Sequence, residues 1–127
     1  MFEAITRGIR IQATPRFEPN QSNAEMGLFV FSYKIDIFNE SSQTVQLISR
    51  HWIITNADGK TEEVQGPGVI GQQPVLEPGR HHSYISLCPL TTPIGSMHGT
   101  YQMVTQDGKS FNVKIPPFTL ALPDTLN

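Results

Sequence analysis

The chain has 127 residues, of which 38% are hydrophobic and 16% are charged, and its formal net charge at pH 7 is -2. This length predicts one domain spanning residues 1–127, and the slightly acidic balance argues against a nucleic-acid-binding protein that neutralises phosphates. Because no apolar run approaches the ~20 residues needed to cross a bilayer, no membrane partner is expected either.

The first third of the chain alternates apolar and polar residues with the period of a β-strand. Residues 5–13 form the first such run, with Ile5 on its apolar face, and we predict one strand that ends at Pro15. The polar, aperiodic residues 18–27 are interpreted as a loop. Residues 29–37 then alternate more strongly than any other segment, which predicts a second strand.

The middle of the chain predicts strands around a hairpin, followed by a loop. Residues 45–47 open a strand, and residues 51–55 carry apolar side chains on both faces, as is typical of a central strand. The Asp-Gly pair at 58–59 favours a hairpin turn, which leads into a polar, peripheral strand at 61–65. Residues 66–74 are rich in glycine and proline and are predicted to form a loop.

The last third predicts one further strand and a closing hairpin. Residues 81–87 alternate as a strand, whereas residues 88–98 contain two prolines and a glycine and are predicted to be irregular. Residues 99–105 and 110–115 form the hairpin. Because proline has no N–H to donate, residues 116–118 are expected to add only an edge segment or a packed tail. No window supports a helix of normal length.

Seven or eight short strands at regular spacing predict an all-β protein, an antiparallel β-sandwich of the immunoglobulin/fibronectin type III-like class. Trp52 and Tyr101 occupy the chain-order positions of the core tryptophan and the tyrosine corner of immunoglobulin-type domains. The lone Cys88 cannot form an intramolecular disulfide, which favours the fibronectin type III version. With no signal peptide in view, we expect a cytoplasmic protein.

Gly66, Gly68 and Gly71 match the G-x-G-x-x-G spacing of a dinucleotide-binding loop. That motif works only when a helix follows, because the N-terminal N–H groups of the helix hold the pyrophosphate. Here Pro67 removes one donor, and Pro74 lies where the helix would run. We therefore interpret the motif as a loop between strands and expect no cofactor.

The remaining chemistry-bearing residues form no catalytic pattern. The four histidines His51, His81, His82 and His98 lack the short fixed spacings of a metal site. Cys88 has no helix N-terminus near it to lower its pKa, so we expect a buried, small hydrophobic residue. We assign no catalytic, cofactor-binding or metal-ligating residue, and we expect no enzyme.

Function is more often carried by long loops on a rigid scaffold than by strands. The loops at 66–74 and 89–98 contain apolar side chains that either pack beneath the loops or form an exposed patch for a partner. The candidate interaction or anion-binding residues are Arg50, His51, Gly66, Gly68, Val69, Ile70, Gly71, Pro89, Leu90, Met97 and His98.

Five segments closely resemble the bacterial ApaG family, and together they extend over most of the chain. They read SRHWIIT from residue 49, GPGVIGQQP from 66, CPL from 88, MHGTYQM from 97 and IPPF from 115. The resemblance implies an immunoglobulin/fibronectin III-like sandwich and a link to cobalt tolerance and magnesium efflux, under the family's second name, CorD. It implies no established catalytic residue, and related domains inside larger eukaryotic proteins suggest a protein-interaction module.

Two hypotheses about function follow. The first is a non-catalytic module that binds a protein of unknown identity. The alternative is a protein that binds a divalent metal or a phosphate or pyrophosphate ligand, which for a metal requires several histidines and carboxylates to converge. The sequence leaves open whether the chain also forms a homodimer through an edge strand.

Overall fold

The alternating segments fold as nine strands in a computed structural model that describes residues 1–123. Two short 3-10 turns, Pro19–Gln21 and Ala24–Met26, lie in the segment predicted as a loop. No helix in this part of the chain is long and apolar enough to cross a membrane. The strands are β1 (Phe2–Thr6), β2 (Ile9–Phe17), β3 (Phe29–Asn39), β4 (Val45–Asn56), β5 (Thr61–Pro67), β6 (Val75–Leu76), β7 (His81–Leu90), β8 (Ile94–Thr105) and β9 (Ser110–Ala121).

The strands form two antiparallel sheets that pack face to face. The first sheet has the order β1-β2-β3-β7, and the second has the order β5-β4-β8-β9, with the short β6 also paired to β4. Strands β2, β3 and β7 facing β5, β4, β8 and β9 make the three-on-four arrangement typical of fibronectin type III domains, and β1 extends the first sheet. The predicted β-sandwich is confirmed.

The core lies between the sheets and is built around Trp52, whose ring centroid is 5.2 Å from that of Tyr33 and 5.9 Å from that of Phe118. Gly99 lies opposite Trp52 on β8, and a Cβ there would come within 2.0 Å of the His51 carbonyl oxygen. The largest fully buried side chains are Trp52, Tyr101, Phe31, Ile9, Ile11, Ile35, Ile37, Leu47, Met97, Met103, Ile115 and Leu120.

Tyr101 is buried, but its prediction as a tyrosine corner is wrong. In a tyrosine corner the phenol bonds to backbone a few residues upstream. Here Tyr101 lies in the middle of β8, and its hydroxyl hydrogen-bonds the Tyr84 hydroxyl of β7 on the facing sheet. The bond therefore joins the two sheets.

The N-terminal run is a hairpin and not the predicted single strand. Arg7 and Gly8 form its two-residue turn with φ of 50° and 82°, and Thr6 pairs with Ile9 while Ile5 pairs with Arg10. Because paired residues share a sheet face, Ile5 points outward with Arg10 and is 61% exposed. Pro15 lies within β2 and does not end it.

The segment at 88–98, predicted to be irregular, is the end of β7 and the start of β8. Pro89, Leu90, Met97 and His98 therefore lie in strands and not in a loop. Pro89 is tolerated because β7 is an edge strand, where a missing N–H need not disrupt the ladder.

The two prolines at 116 and 117 are also accommodated in an edge strand, as predicted, because β9 lies at the edge of the second sheet. They lie where the β8–β9 register shifts between Met97 and Gly99. Such a bulge absorbs the missing donors without ending the strand.

The two long sides of the sandwich differ. On one side β1 and β2 pack along β9, where Lys114 N donates to Thr6 Oγ1 at 3.1 Å. On the other side lie the edges of β5 and β7, and no hydrogen bond or ion pair joins these two strands within residues 1–123. We call this second side the open side.

Candidate functional site

The open side contains a cleft of about 210 Å³ between β5 and β7, which we call the edge cleft. Its floor is apolar and buried, whereas its rim carries polar and charged groups. The lining residues are Tyr33, Arg50, Trp52, Ile54, Glu62, Val64, Ser86, Leu87, Cys88, Pro89 and Met97.

Arg50 lies at one end of the edge cleft. Its Nη1 donates to the carbonyl oxygens of Pro67 at 2.9 Å and Gly68 at 3.0 Å. Gly66 pairs with Arg50 across the strands, and a Cβ at Gly66 would lie 3.1 Å from the guanidinium. Glycine at 66 thus makes room for the guanidinium, whose charge faces no carboxylate in an ion pair among the described residues.

Glu62 lies at the other end, paired with Ile54 and exposed on the rim. Burial, together with the nearby Glu62 carboxylate, raises the pKa of the Cys88 thiol to about 12. Cys88 is therefore protonated and buried near neutral pH, which confirms the expected small hydrophobic residue and excludes a thiolate nucleophile. The edge cleft has a cation at one end, an anion at the other and an apolar floor between them.

Three tyrosines lie near the Arg50 end of the edge cleft. The hydrogen bond between the Tyr84 and Tyr101 hydroxyls joins the sheets beside it. Burial raises the pKa of Tyr33, Tyr84 and Tyr101 above the ordinary value for a phenol. These hydroxyls stay neutral near pH 7, so they serve as hydrogen-bonding groups and not as general bases.

The glycine-rich loop is held against β4 by its own backbone. Gly68 N donates to the Ile48 carbonyl oxygen at 2.8 Å, and Val69 and Gln72 exchange backbone hydrogen bonds of 2.8 Å and 3.0 Å. Ile70 and Gly71 form the turn, with φ of 48° and 71°. The chain then enters β6, so no helix follows the motif. The predicted loop is shorter than 66–74, because Gly66 and Pro67 are the last residues of β5 and pair with Arg50 and Ser49.

This geometry gives little support to an anion site in the loop. The N–H groups of Gly68, Val69 and Gln72 are already bonded within the protein. The Arg50 guanidinium also donates to two carbonyl oxygens, those of Pro67 and Gly68. Val69 packs into the core, whereas Ile70 is exposed at the turn.

The histidines lie apart. His51 and His98 lie on the outer face of the second sheet, where His51 Nε2 is 2.8 Å from Glu63 Oε1. His81 and His82 lie on opposite faces of β7 in the first sheet, as two neighbours on a strand should. Among residues 1–123 no three His, Cys, Asp or Glu side chains are placed to hold a metal ion, so this part of the chain lacks the convergence that the metal hypothesis requires.

Asp36, His81 and Ser83 form a cluster on the outer face of the first sheet that the sequence analysis missed. His81 Nε2 lies 3.2 Å from Asp36 Oδ1 and 2.8 Å from Ser83 Oγ, and Ser83 also donates to Asp36. Burial alone would raise the pKa of Asp36, but the hydrogen bonds from Ser83 and His81 lower it. In a catalytic triad one histidine nitrogen contacts the serine and the other contacts the carboxylate. Here His81 Nε2 contacts both Ser83 and Asp36, so the cluster does not activate Ser83.

Among the sheet edges within residues 1–123, the part of β7 that precedes Pro89 carries the least protection against pairing with another strand. Strand β1 is five residues long, β5 carries adjacent glutamates and Pro67, and β9 has two prolines at a bulge. By contrast, residues 83–88 of β7 contain no charge, proline or glycine. The outward side chains of Ile85 and Leu87 in this run are 62% and 49% exposed.

The sequence-predicted site residues separate into three groups. Arg50, Pro89 and Met97 line the edge cleft, with Gly66 and Leu90 beside it. His51 and His98 lie on an outer sheet face, and the remaining candidates Gly68, Val69, Ile70 and Gly71 belong to the loop. Sequence analysis missed Glu62, Ile85 and Leu87, although the uncharged run at 83–88 was a visible signal.

Comparison with known proteins gives one consistent family. The family model described as the ApaG domain matches residues 19–105. The chain is 50% identical to "Protein ApaG" of Anaeromyxobacter dehalogenans over all of both chains. It is 51% identical to "Protein ApaG" of Beijerinckia indica, over 97% of this chain and 95% of that one. The crystal structure of the "Putative ApaA Protein" from Bordetella pertussis superposes with a TM-score of 0.89 at 48% identity, covering 91% of this chain and 94% of that chain.

Proposed function

The chain belongs to the ApaG family, and from that premise we propose that it is a non-catalytic protein-binding module that engages its partner through the open side. The observation that carries the proposal is the edge of β7 at residues 83–88, which lies beside the edge cleft and contains no charge, proline or glycine. Soluble proteins normally guard such an edge against pairing. An edge left with exposed apolar side chains is suited to a partner that covers it.

The state of three candidate reactive groups among residues 1–123 supports this proposal. Cys88 is protonated, the Asp36 cluster lacks the geometry of a triad, and the tyrosines stay neutral. The printed names of the relatives carry no enzymatic activity.

We propose further that any link to cobalt tolerance or magnesium efflux is indirect and acts through the bound partner. Residues 1–123 gather no three metal-ligating side chains, so the described chain offers no site of its own for such a cation. Because the lone Cys88 suits a reducing compartment, we place the partner in the cytoplasm.

Quantitative partner capture tests the module. The double variant Ile85→Lys, Leu87→Lys places two charges on the edge of β7, whereas Ile5→Lys changes a residue of nearly equal exposure on β1. We expect proteins captured by the unchanged chain to be lost with the double variant and retained with Ile5→Lys. Equal capture by all three would overturn the proposal.

A thermal-shift series tests the competing small-ligand hypothesis. The panel is Co²⁺, Mg²⁺, Zn²⁺, pyrophosphate, ATP and diadenosine tetraphosphate, and we expect no saturable shift. A ligand present at a hundred times its dissociation constant would stabilise the folded chain by about 2.7 kcal/mol, several degrees for a domain of this size. Such a shift would favour small-ligand binding over the protein-binding module.

A further inference from the structure

We propose that the partner supplies an extended segment that adds to the free edge of β7 as a new strand. The segment would run antiparallel to β7, from the Glu62 end of the edge cleft to the Arg50 end. Read from its N-terminus, its sequence would have the pattern basic–x–apolar–x–acidic, where x is any residue that a strand tolerates. This inference rests on the proposed function and specifies the chemistry of the partner. Two independent features of the open side carry it, the backbone of β7 and the charges of the edge cleft.

The backbone of β7 is oriented to accept a strand. Pro89 pairs with Val30 of β3 but has no N–H, so its nitrogen faces the free edge. Backbone groups alternate along an antiparallel strand, so the N–H and C=O of Ile85 and Leu87 also face the free edge. Asn39 N donates to Arg80 O at 2.9 Å, so the backbone groups of odd-numbered β3 residues face β7. Each of these residues pairs with an even-numbered residue of β7, which leaves the backbone groups of odd-numbered β7 residues at the free edge.

The charges of the edge cleft define what the added strand would carry. Gly66 lies opposite Arg50, and Glu62 precedes Gly66 by four residues on the same face of β5. Four residues of a strand span about 13 Å. Alternate residues of an added strand would face the cleft, so its first, third and fifth residues would cover the same distance.

Three side chains of the added strand would therefore each face one part of the edge cleft. An acidic side chain would lie at Arg50, an apolar one over the floor formed by Trp52 and Cys88, and a basic one at Glu62. A second copy of the chain fits less well, because the uncharged residues 83–88 would offer neither charge to the cleft. The observations thus favour a segment of a different protein over a homodimer through β7.

The backbone prediction is tested with the capped peptide TTKTVTETT. Amide hydrogen exchange is followed by NMR with and without peptide, and Trp52, the only tryptophan, reports binding by its fluorescence. At ten times the dissociation constant, exchange at Ile85 and Leu87 should slow about tenfold if exchange requires the free state. The amides of Tyr84 and Ser86 already face β3 and should change less. Unchanged exchange at Ile85 and Leu87 would overturn strand addition.

The charge pattern is tested by a swap of specificity. The unchanged chain should bind TTKTVTETT more tightly than TTETVTETT, and Glu62→Lys should reverse that order. Glu63→Lys makes the same charge change on the opposite face of β5, beside His51, and should keep the original order. An order unaffected by Glu62→Lys would overturn the proposed pattern.

Failure of this inference is distinguishable from failure of the protein-binding module. If the β7 double variant loses its captured partner but the peptide leaves Ile85 and Leu87 exchange unchanged, strand addition is wrong and the module stands. If capture does not depend on β7, both are wrong.

Discussion

We call the side where β1 and β2 pack along β9 the closed side. The closed and open sides of the sandwich each bring together two edge strands, and they differ in how those strands are joined. On the closed side the Phe2 ring lies 6.1 Å from that of Phe118, and the Arg7 guanidinium lies 5.5 Å from the Phe111 ring. On the open side the described strands β5 and β7 share no hydrogen bond, although the turns beyond them meet where Ala57 N donates to Thr92 Oγ1 at 3.0 Å. The fold therefore closes one side by packing two edge strands together and leaves an edge available on the other.

Truncating one side chain on each side should give the largest difference, measured as the loss in the free energy of unfolding. Phe118→Ala removes a ring packed between β1 and the core, and we expect it to lower the free energy of unfolding by about 3–5 kcal/mol. Val64→Ala removes half-buried methyl groups at the edge cleft and should cost about 1 kcal/mol. Urea denaturation measures both, and equal losses would contradict the distinction between the sides.

The tyrosine pair that ties the sheets beside the edge cleft should give the next largest effect. Tyr101→Phe leaves the Tyr84 hydroxyl without its partner and should cost about 1–3 kcal/mol, as should Tyr84→Phe. The double variant leaves neither hydroxyl, so its loss should be smaller than the sum of the two. A double-mutant cycle by urea denaturation tests this, and strictly additive losses would show that the bond contributes nothing.

The smallest effect is expected in the pH dependence of stability at the open side. Burial, with a further contribution from the nearby His81, lowers the pKa of His82 on the inner face of β7. Below about pH 6.5 the unfolded chain therefore takes up this proton before the folded chain does, so stability falls as the pH falls. His82→Gln should flatten that decline between pH 7.5 and 5.5 in thermal melts. A slope equal to that of the unchanged chain would contradict this assignment.

Much of the fold follows from local patterns in the sequence. Alternation predicts β3, the Asp-Gly pair at 58–59 predicts the β4–β5 hairpin, and the apolar surroundings of Trp52 place it in the core. The errors have local causes as well. The hairpin at Arg7 was missed because its turn interrupts no alternation, and Pro89 suggested a loop because the pattern does not reveal which strands are edges.

The candidate site was harder to predict because it depends on strand order. Arg50 and Pro89 were singled out for their motifs, yet only the pairing of distant strands brings them to one cleft. Glu62 resembles any solvated carboxylate in the sequence, and Ile85 resembles a core residue. Their exposure follows from the position of β5 and β7 at the open side, which no short window encodes.

Site-specific photo-cross-linking in living cells tests most directly whether the edge of β7 contacts a partner protein. A photoreactive benzophenone amino acid would replace Leu87 in one chain and the similarly exposed Ile5 in another. We expect a cross-linked product of higher mass from position 87, much reduced in the presence of the Ile85→Lys change, and no such product from position 5. Equal products from both positions, or none from position 87, would contradict it.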